Sequence, residues 1–298
     1  CAVMFLFSVL FFLHTLSQLM HGIRPSNLAD QVITTGRNVI DAMYPHPAPS
    51  EQGVRPEELI PTEPANRTIA SGHDGAVLQS IDIEGLKHLA IRHDALIVMP
   101  MAVGDYLRKN SMVFALYGGA SLPDDEQMLD HLALGSERSP EQDPTLALRV
   151  LVDISIKALS PAINDPTTGD HMLDRVEDLL VDMVQRDLDA GIVRDANNIP
   201  RLIYPTPTWE DVLQLGVTEI RLYGGSNPQI CRRLHALYDN LLAVAPAYRR
   251  DSIEAERARL LRTIASQFPD PLDRELAMVS DTQGFGARGL LGAVRPPV

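Results

Sequence analysis

Cysteine is scarce: the 298 residues contain two, Cys1 and Cys231. Neither a disulfide framework nor a Cys-rich zinc site can be assembled from that pair, which fits a reducing compartment. Positive charge is scarce too. Lys and Arg total 26 against 39 Asp and Glu, a formal net charge of −13. Nucleic acid is excluded as a main partner, because its binding runs on Lys and Arg at phosphates. General adhesion of the water-facing part to an anionic lipid surface is excluded on the same ground. Several catalytic signatures are missing. There is no Gly-rich phosphate loop and no HExxH or paired-Cys zinc motif. Gly118-Gly119-Ala120-Ser121 and Gly224-Gly225-Ser226 lack the spacing of a nucleophile elbow. The nine His are scattered. His131 and His171 could approach acids in a fold, but a lone His is more often packed or solvated than a metal ligand. The sequence therefore names no metal and no cofactor, and no internal repeat.

What is present begins with an apolar run. Residues 1–13 hold one polar residue, Ser8. A bilayer core takes about 20 apolar residues in a helix. The run falls short, but the chain does not begin with Met. We read 1–22 as a transmembrane helix, the last span of a longer, N-terminally truncated protein. A signal peptide would carry a basic start and a small-residue cleavage site, and neither is seen. Arg24 and Arg37 against Asp30 place the following part on the cytoplasmic side of the plasma (inner) membrane. His14, Gln18 and His21 share one helix face. They either lie where the helix leaves the lipid or mark an ion path.

Beyond it the fold class is α+β: the transmembrane helix, a small β-rich, barrel-like module, then a mostly α-helical domain. Residues 23–44 continue as a connecting helix. Residues 45–66 hold six prolines and read as an extended linker. The β-rich module covers 67–118, with strands at 76–81, 95–100 and 112–117 and a short helix after Asp82. Val103-Gly104-Asp105 before a hairpin, with Lys109 near its tip, is similar at fold level to lipoyl- or biotinyl-type barrels, without their attachment motif. The helical domain spans 119–280, with helices near 123–134, 144–159, 166–187, 208–223, 228–245, 250–267 and 271–280. Thr208 with an acid three residues on, and Pro228 after Ser226-Asn227, mark two starts. Residues 281–298, rich in Gly and Pro, read as a disordered tail.

The most informative stretch is 137–168. Over 145–159 apolar residues occupy nearly every face, so this helix belongs in a core. Arg149, Asp153 and Lys157 form one charged stripe, either a salt-bridge ladder or part of a polar pocket. Pro161 ends the helix. Asn164 or Asp165 caps the next, with Pro166 first in it. Helix N-termini attract anions, yet Asp165 can supply the acceptor itself. The candidate ligand-binding residues are Arg138, Asp143, Arg149, Asp153, Asn164, Asp165, Thr167 and Thr168, which meet only if the turn at 137–144 folds over the corner. No catalytic residue is assigned.

LVDISIKALSPAINDPTT, with ERSPEQDPTLALR before it, resembles the predicted-membrane-protein family called domain of unknown function 2254. FLHTLSQLMHGIRPSNLADQV resembles the end of that family's last transmembrane helix. SGHDGAVLQSIDIEGLKHLAIRHD and VGDYLRKN resemble its β-rich module, and PTWEDVLQLGVTEIRLYGGSNPQICRRL its C-terminal helices. The resemblance implies further transmembrane helices upstream and no established activity. Asn110 departs from it, at a turn where Gly is expected.

The reading that follows is a membrane protein whose water-facing domain is a binding or regulatory module for an unknown small molecule. The alternatives are a transport or channel protein with its pore in upstream helices, and an enzyme using the Arg138–Asp165 segment. The partners expected are the lipid bilayer and, by the frequency of symmetric assembly, a second copy of the chain.

Overall fold

The computed structural model describes residues 2–22, 25–51, 53–119 and 121–282, with backbone alone at Ala2, 16–22 and 25–27. Helices α1 (Ala2–Gly22) and α2 (Pro25–Met43) come first. Strands β1 (Arg67–Ala70), β2 (Ala76–Ile81), β3 (Ala95–Val98), β4 (Tyr106–Leu107) and β5 (Met112–Gly118) follow, with α3 (Ile83–Arg92) between β2 and β3. Then come α4 (Asp125–Leu129), β6 (Leu132–Gly135), α5 (Pro144–Ala158), α6 (Pro166–Val184), β7 (Ile192–Arg194) and β8 (Pro200–Ile203). The chain closes with α7 (Trp209–Gly224), α8 (Pro228–Val244), α9 (Arg250–Gln267) and α10 (Pro271–Ala277). This is a mixed α+β fold. Of the expected tail only Asp281 and Thr282 are among the described residues.

Ten large apolar side chains of α1 between Val3 and Leu13 are 37–78% exposed. Among the described residues, no helix is long and apolar enough to cross a membrane. The helix expected over 1–22 forms, but the span is not reached. His14 on α1 is exposed; the side chains of Gln18 and His21 lie outside those described.

The strands build two sheets, ordered β1-β5-β3-β8-β7 and β4-β2-β6. The expected barrel is thus a pair of sheets around one core, which includes Leu78, Leu86, Ile97, Phe114 and Leu202. That core draws on more chain than 67–118. β6 pairs with β2, and β8 pairs parallel to β3. Residues 132–134, the end of the helix expected over 123–134, lie in β6. Asp124 caps only a short α4, and Leu132 to Leu134 then continue the β2 ladder. Asp82 does start α3, accepting from the Gly85 N–H at 2.9 Å, and its other oxygen meets His131 Nδ1 at 2.9 Å. Lys109 lies in the β4–β5 turn, its N–H donating to Asp74 at 3.2 Å. Asn110 there adopts φ 65°, the left-handed conformation Asn tolerates nearly as well as the expected Gly.

The second core is helical. Leu148, Val152, Leu173, Leu180, Val217, Leu234 and Tyr238 are fully buried in it. α2 joins this core through Ala29, Ile33, Ile40 and Tyr44. A Cβ at Gly36 would fall 2.6 Å from the Ala147 Cβ, so a glycine is what lets α2 lie this close to α5. Ion pairs Arg37–Asp182 (2.8 Å), Arg175–Asp30 (2.8 Å) and Arg186–Asp41 fix the other side of α2 to α6 and its end.

Residues 45–66 are less free than an extended linker. The Ala48 N–H donates to the Gln185 carbonyl and the Asp187 N–H to the His46 carbonyl, at 2.8 and 2.9 Å. Pro56–Leu59 forms one 3-10 turn. Leu59, Ile60 and Ala65 pack against Val98, Ala115 and Ile203 on the larger sheet. The segment is a strap over that sheet.

Candidate functional site

A cleft of about 640 Å³ opens where the adjacent parallel strands β3 and β8 end, within the range of small-molecule sites, about 300–1,000 Å³. Carboxyl ends of parallel strands leave a crevice because the chain must turn away there. Here Pro100 and Pro205 stand one residue beyond the two strands, after Met99 and Tyr204, and cannot extend the ladder. Val98, Met99, Ile203 and Tyr204 make the floor, and Arg55, Pro56, Glu57 and Ile60 of the strap make one wall. Opposite stand Leu188 and Asp189 after α6, Thr206 to Glu210 at the start of α7, and Tyr248 and Arg249. Tyr204 is 4% exposed, and burial pushes its hydroxyl pKa up to about 12.

Arg249 organises the far wall. It is buried, and its Nη1 donates to the carbonyls of Met183, Val184 and Arg186 at 3.2, 2.8 and 2.9 Å. These belong to the C-terminal end of α6, where free carbonyls and the helix dipole favour a cation. Its guanidinium also lies over the rings of Trp209 (5.8 Å) and Tyr248 (5.2 Å). Burial still lowers its pKa. The start of α7 is closed by a capping box. The Asp211 N–H donates to Thr208 Oγ1 at 3.2 Å, and the Thr208 N–H to Asp211 Oδ2 at 3.0 Å.

The residues picked out in the sequence lie elsewhere, in three places. Arg138 meets buried Asp143 at 2.7 Å, and Asp143 caps α5 by accepting from the Thr145 N–H at 3.1 Å. Beside them Gln142 pairs with both the N–H and the carbonyl of Ile81, at 2.9 and 3.1 Å, so this turn is zipped to β2. Arg149 grips Glu219 of α7 with two bonds of 2.7 and 3.0 Å and also pairs with Asp153. Arg149 holds the Glu219 carboxyl below the usual range. Lys157 makes no ion pair among the described residues, so the stripe is an interhelical clamp rather than a ladder. Asn164, at φ 50°, and Asp165 form the far corner. Asp165 accepts from the Thr168 hydroxyl at 2.6 Å and its N–H at 3.1 Å, which together lower its pKa. Thr167 beside them is exposed. The 15 residues of α5 separate Asp143 from this corner by about 22 Å. The eight residues do not converge.

A family model described as "Predicted membrane protein (DUF2254)" matches residues 1–240. The chain belongs to this family. DUF2254 relatives with curated descriptions include proteins of Mycobacterium bovis and Mycobacterium tuberculosis, each described as uncharacterized. Each is 29% identical over 305 residues, covering 97% of this chain and 56% of the relative. The chain thus spans about half the length of the curated relatives it matches. No solved structure matches it. In this DUF2254 chain the cleft was missed by sequence reasoning because five separate segments build it. One signal was available: Pro205-Thr206-Pro207 sits between a strand and the only Trp, a rigid elbow that opens a crevice instead of a tight turn.

Proposed function

We propose that the chain is the ligand-binding, regulatory part of a membrane protein. The cleft takes a small molecule, and α2 carries its occupancy towards the apolar α1, which enters the bilayer with the body on the cytoplasmic side. One observation carries this reading: the far wall of the cleft and the anchor of α2 share one segment, 183–187. Arg249 holds its carbonyls from the cleft side. From the other side Arg186 reaches Asp41 and the Tyr44 carbonyl at the end of α2. A ligand that shifts Arg249 or Leu188 therefore acts on α2 through a few direct bonds, a physically continuous connection. An enzyme working through Arg138–Asp165 has no comparable support, since those residues are dispersed and engaged as caps and clamps.

The test fills the cleft without needing the natural ligand. Thr206→Cys, in a Cys1→Ser background, is labelled with a maleimide in nanodiscs, where native Cys231 is buried. Amide exchange over 29–48 is compared with that of Lys157→Cys carrying the same label on an exposed position. Faster or slower exchange only for the cleft label supports the coupling. Equal exchange in both, with Trp209 fluorescence native, refutes it.

A further inference from the structure

We infer that the cleft selects an organic cation with an apolar body, such as an alkyl- or arylammonium compound. This rests on the reading of the cleft as a ligand site. Three carboxylates line it, Glu57, Asp189 and Glu210, and none has an ion-pair partner among the described residues. Against them stand two arginines, Arg55 and Arg249. Arg249 is also held by three carbonyls and two ring faces and offsets Asp189 only in part, and Arg55 stands exposed on the strap. The acids lie close enough to act together. Asp189 and Glu210 both act on Tyr248 and on Arg249, and Asp187 beside the cleft does the same. Burial raises the Asp189 pKa, Asp187 and Glu57 raise it further, and Arg249 offsets this only in part, so a positive ligand would relieve a carboxylate beside other acids.

The alternatives fit less well. An anion would face this acidic rim, and the α7 N-terminus is closed to it by the Thr208–Asp211 box and carries Glu210 in its first turn. A bare metal ion needs several donors at one point. Among the described residues no group of three or more His, Cys, Asp or Glu is placed to hold one. The floor and walls, with Ile60, Met99, Ile203 and four prolines, reward an apolar body instead. An ammonium group on such a body gains the rim carboxylates while its carbon skeleton leaves water.

The experiment uses a matched pair of soluble probes of near-equal size, benzyltrimethylammonium and phenylmethanesulfonate. Each is titrated into the full chain in nanodiscs, by calorimetry and by Trp209 fluorescence. The cation is expected to bind at least tenfold more tightly than the anion and to weaken as salt rises. The double variant Asp189→Asn, Glu210→Gln should lower cation affinity about tenfold while melting like the parent, which corresponds to roughly 1.4 kcal/mol. A variant that melts early is replaced by Glu57→Gln, on the strap and outside both cores. Anion binding equal to or tighter than cation binding overturns the charge inference and leaves the cleft standing. Binding of neither probe overturns the inference and the reading of the cleft with it.

Discussion

Replacing Arg249 tests the keystone of the structure. Arg249→Met removes a guanidinium whose Nη1 serves three carbonyls. That nitrogen carries two hydrogens, so about two charge-assisted bonds are lost, roughly 1.5–3 kcal/mol each. The two ring contacts add about 1 kcal/mol. In the other direction, Met has no charge to desolvate and fills a similar apolar volume, which offsets part of the loss. The net destabilisation should be about 3 kcal/mol. Arg249→Lys keeps a charge but loses the planar fork and the stacking, and should cost about 1–2 kcal/mol. Urea denaturation read by Trp209 suits the purpose, because that residue is the only Trp, is 3% exposed and lies against Arg249. At a slope of about 3 kcal/mol/M the Met variant should unfold near 1 M lower in urea. Unfolding of both variants at the parent midpoint would refute the claim that Arg249 ties α6, α7 and the cleft wall together.

Other outcomes follow from the same geometry. Gly36→Val should destabilise by about 1–3 kcal/mol through overpacking against Ala147, and Gly36→Ala by less, as read by melting temperature. Asp165→Ala should cost about 1 kcal/mol at pH 7 by loss of the α6 cap. Because the folded pKa of Asp165 is depressed, that stability is fully present above the unfolded pKa, about 4, and is lost as pH falls through the lower folded pKa, below which parent and variant converge. Asp170 behaves oppositely. It is 4% exposed, and burial and then Asp174 raise its pKa to about 7. The folded state holds this proton more tightly than the unfolded state, so the group costs stability as pH climbs from about 4 to 7. Asp170→Asn should therefore match the parent at pH 4 and exceed it at pH 8, by on the order of 2 kcal/mol. An Arg149→Ala, Glu219→Ala double-mutant cycle should give a coupling of about 0.5–1 kcal/mol, modest because both side chains remain partly exposed.

The helical core was largely legible in the sequence. α5, α6, α8 and α10 start at Pro and α7 at a Thr cap, and the bounds of α5 to α10 agree with expectation to within a few residues. β2 and α3 were legible for the same reason, since Asp82 separates a strand pattern from a helical one. β6, β7 and β8 were not. They are three or four residues long, and β8 begins at a proline, so their identity comes from the ladders they join rather than from their own propensity. The roles of Arg149 and Asp165 as clamp and cap were among the readings available from spacing alone. The cleft was not, because Arg55, Met99, Asp189, Trp209 and Arg249 are brought together only by the tertiary fold. The strap was read as a linker because its prolines exclude helix but say nothing of what the segment lies against.

The pairing of β3 with β8 joins residues about a hundred positions apart in the chain, Ile97 with Leu202 and Val98 with Ile203. A ribosome releases β1 to β5 long before β8 exists, so β3 waits with a bare hydrogen-bonding edge while α4 to α6 are made. Contacts of such range slow folding, and an unpaired apolar edge invites association between nascent chains. Any N-terminal piece that stops near residue 119 would keep that edge permanently. The larger sheet therefore cannot be completed until β8 is made, although β1, β3 and β5 are translated well before it.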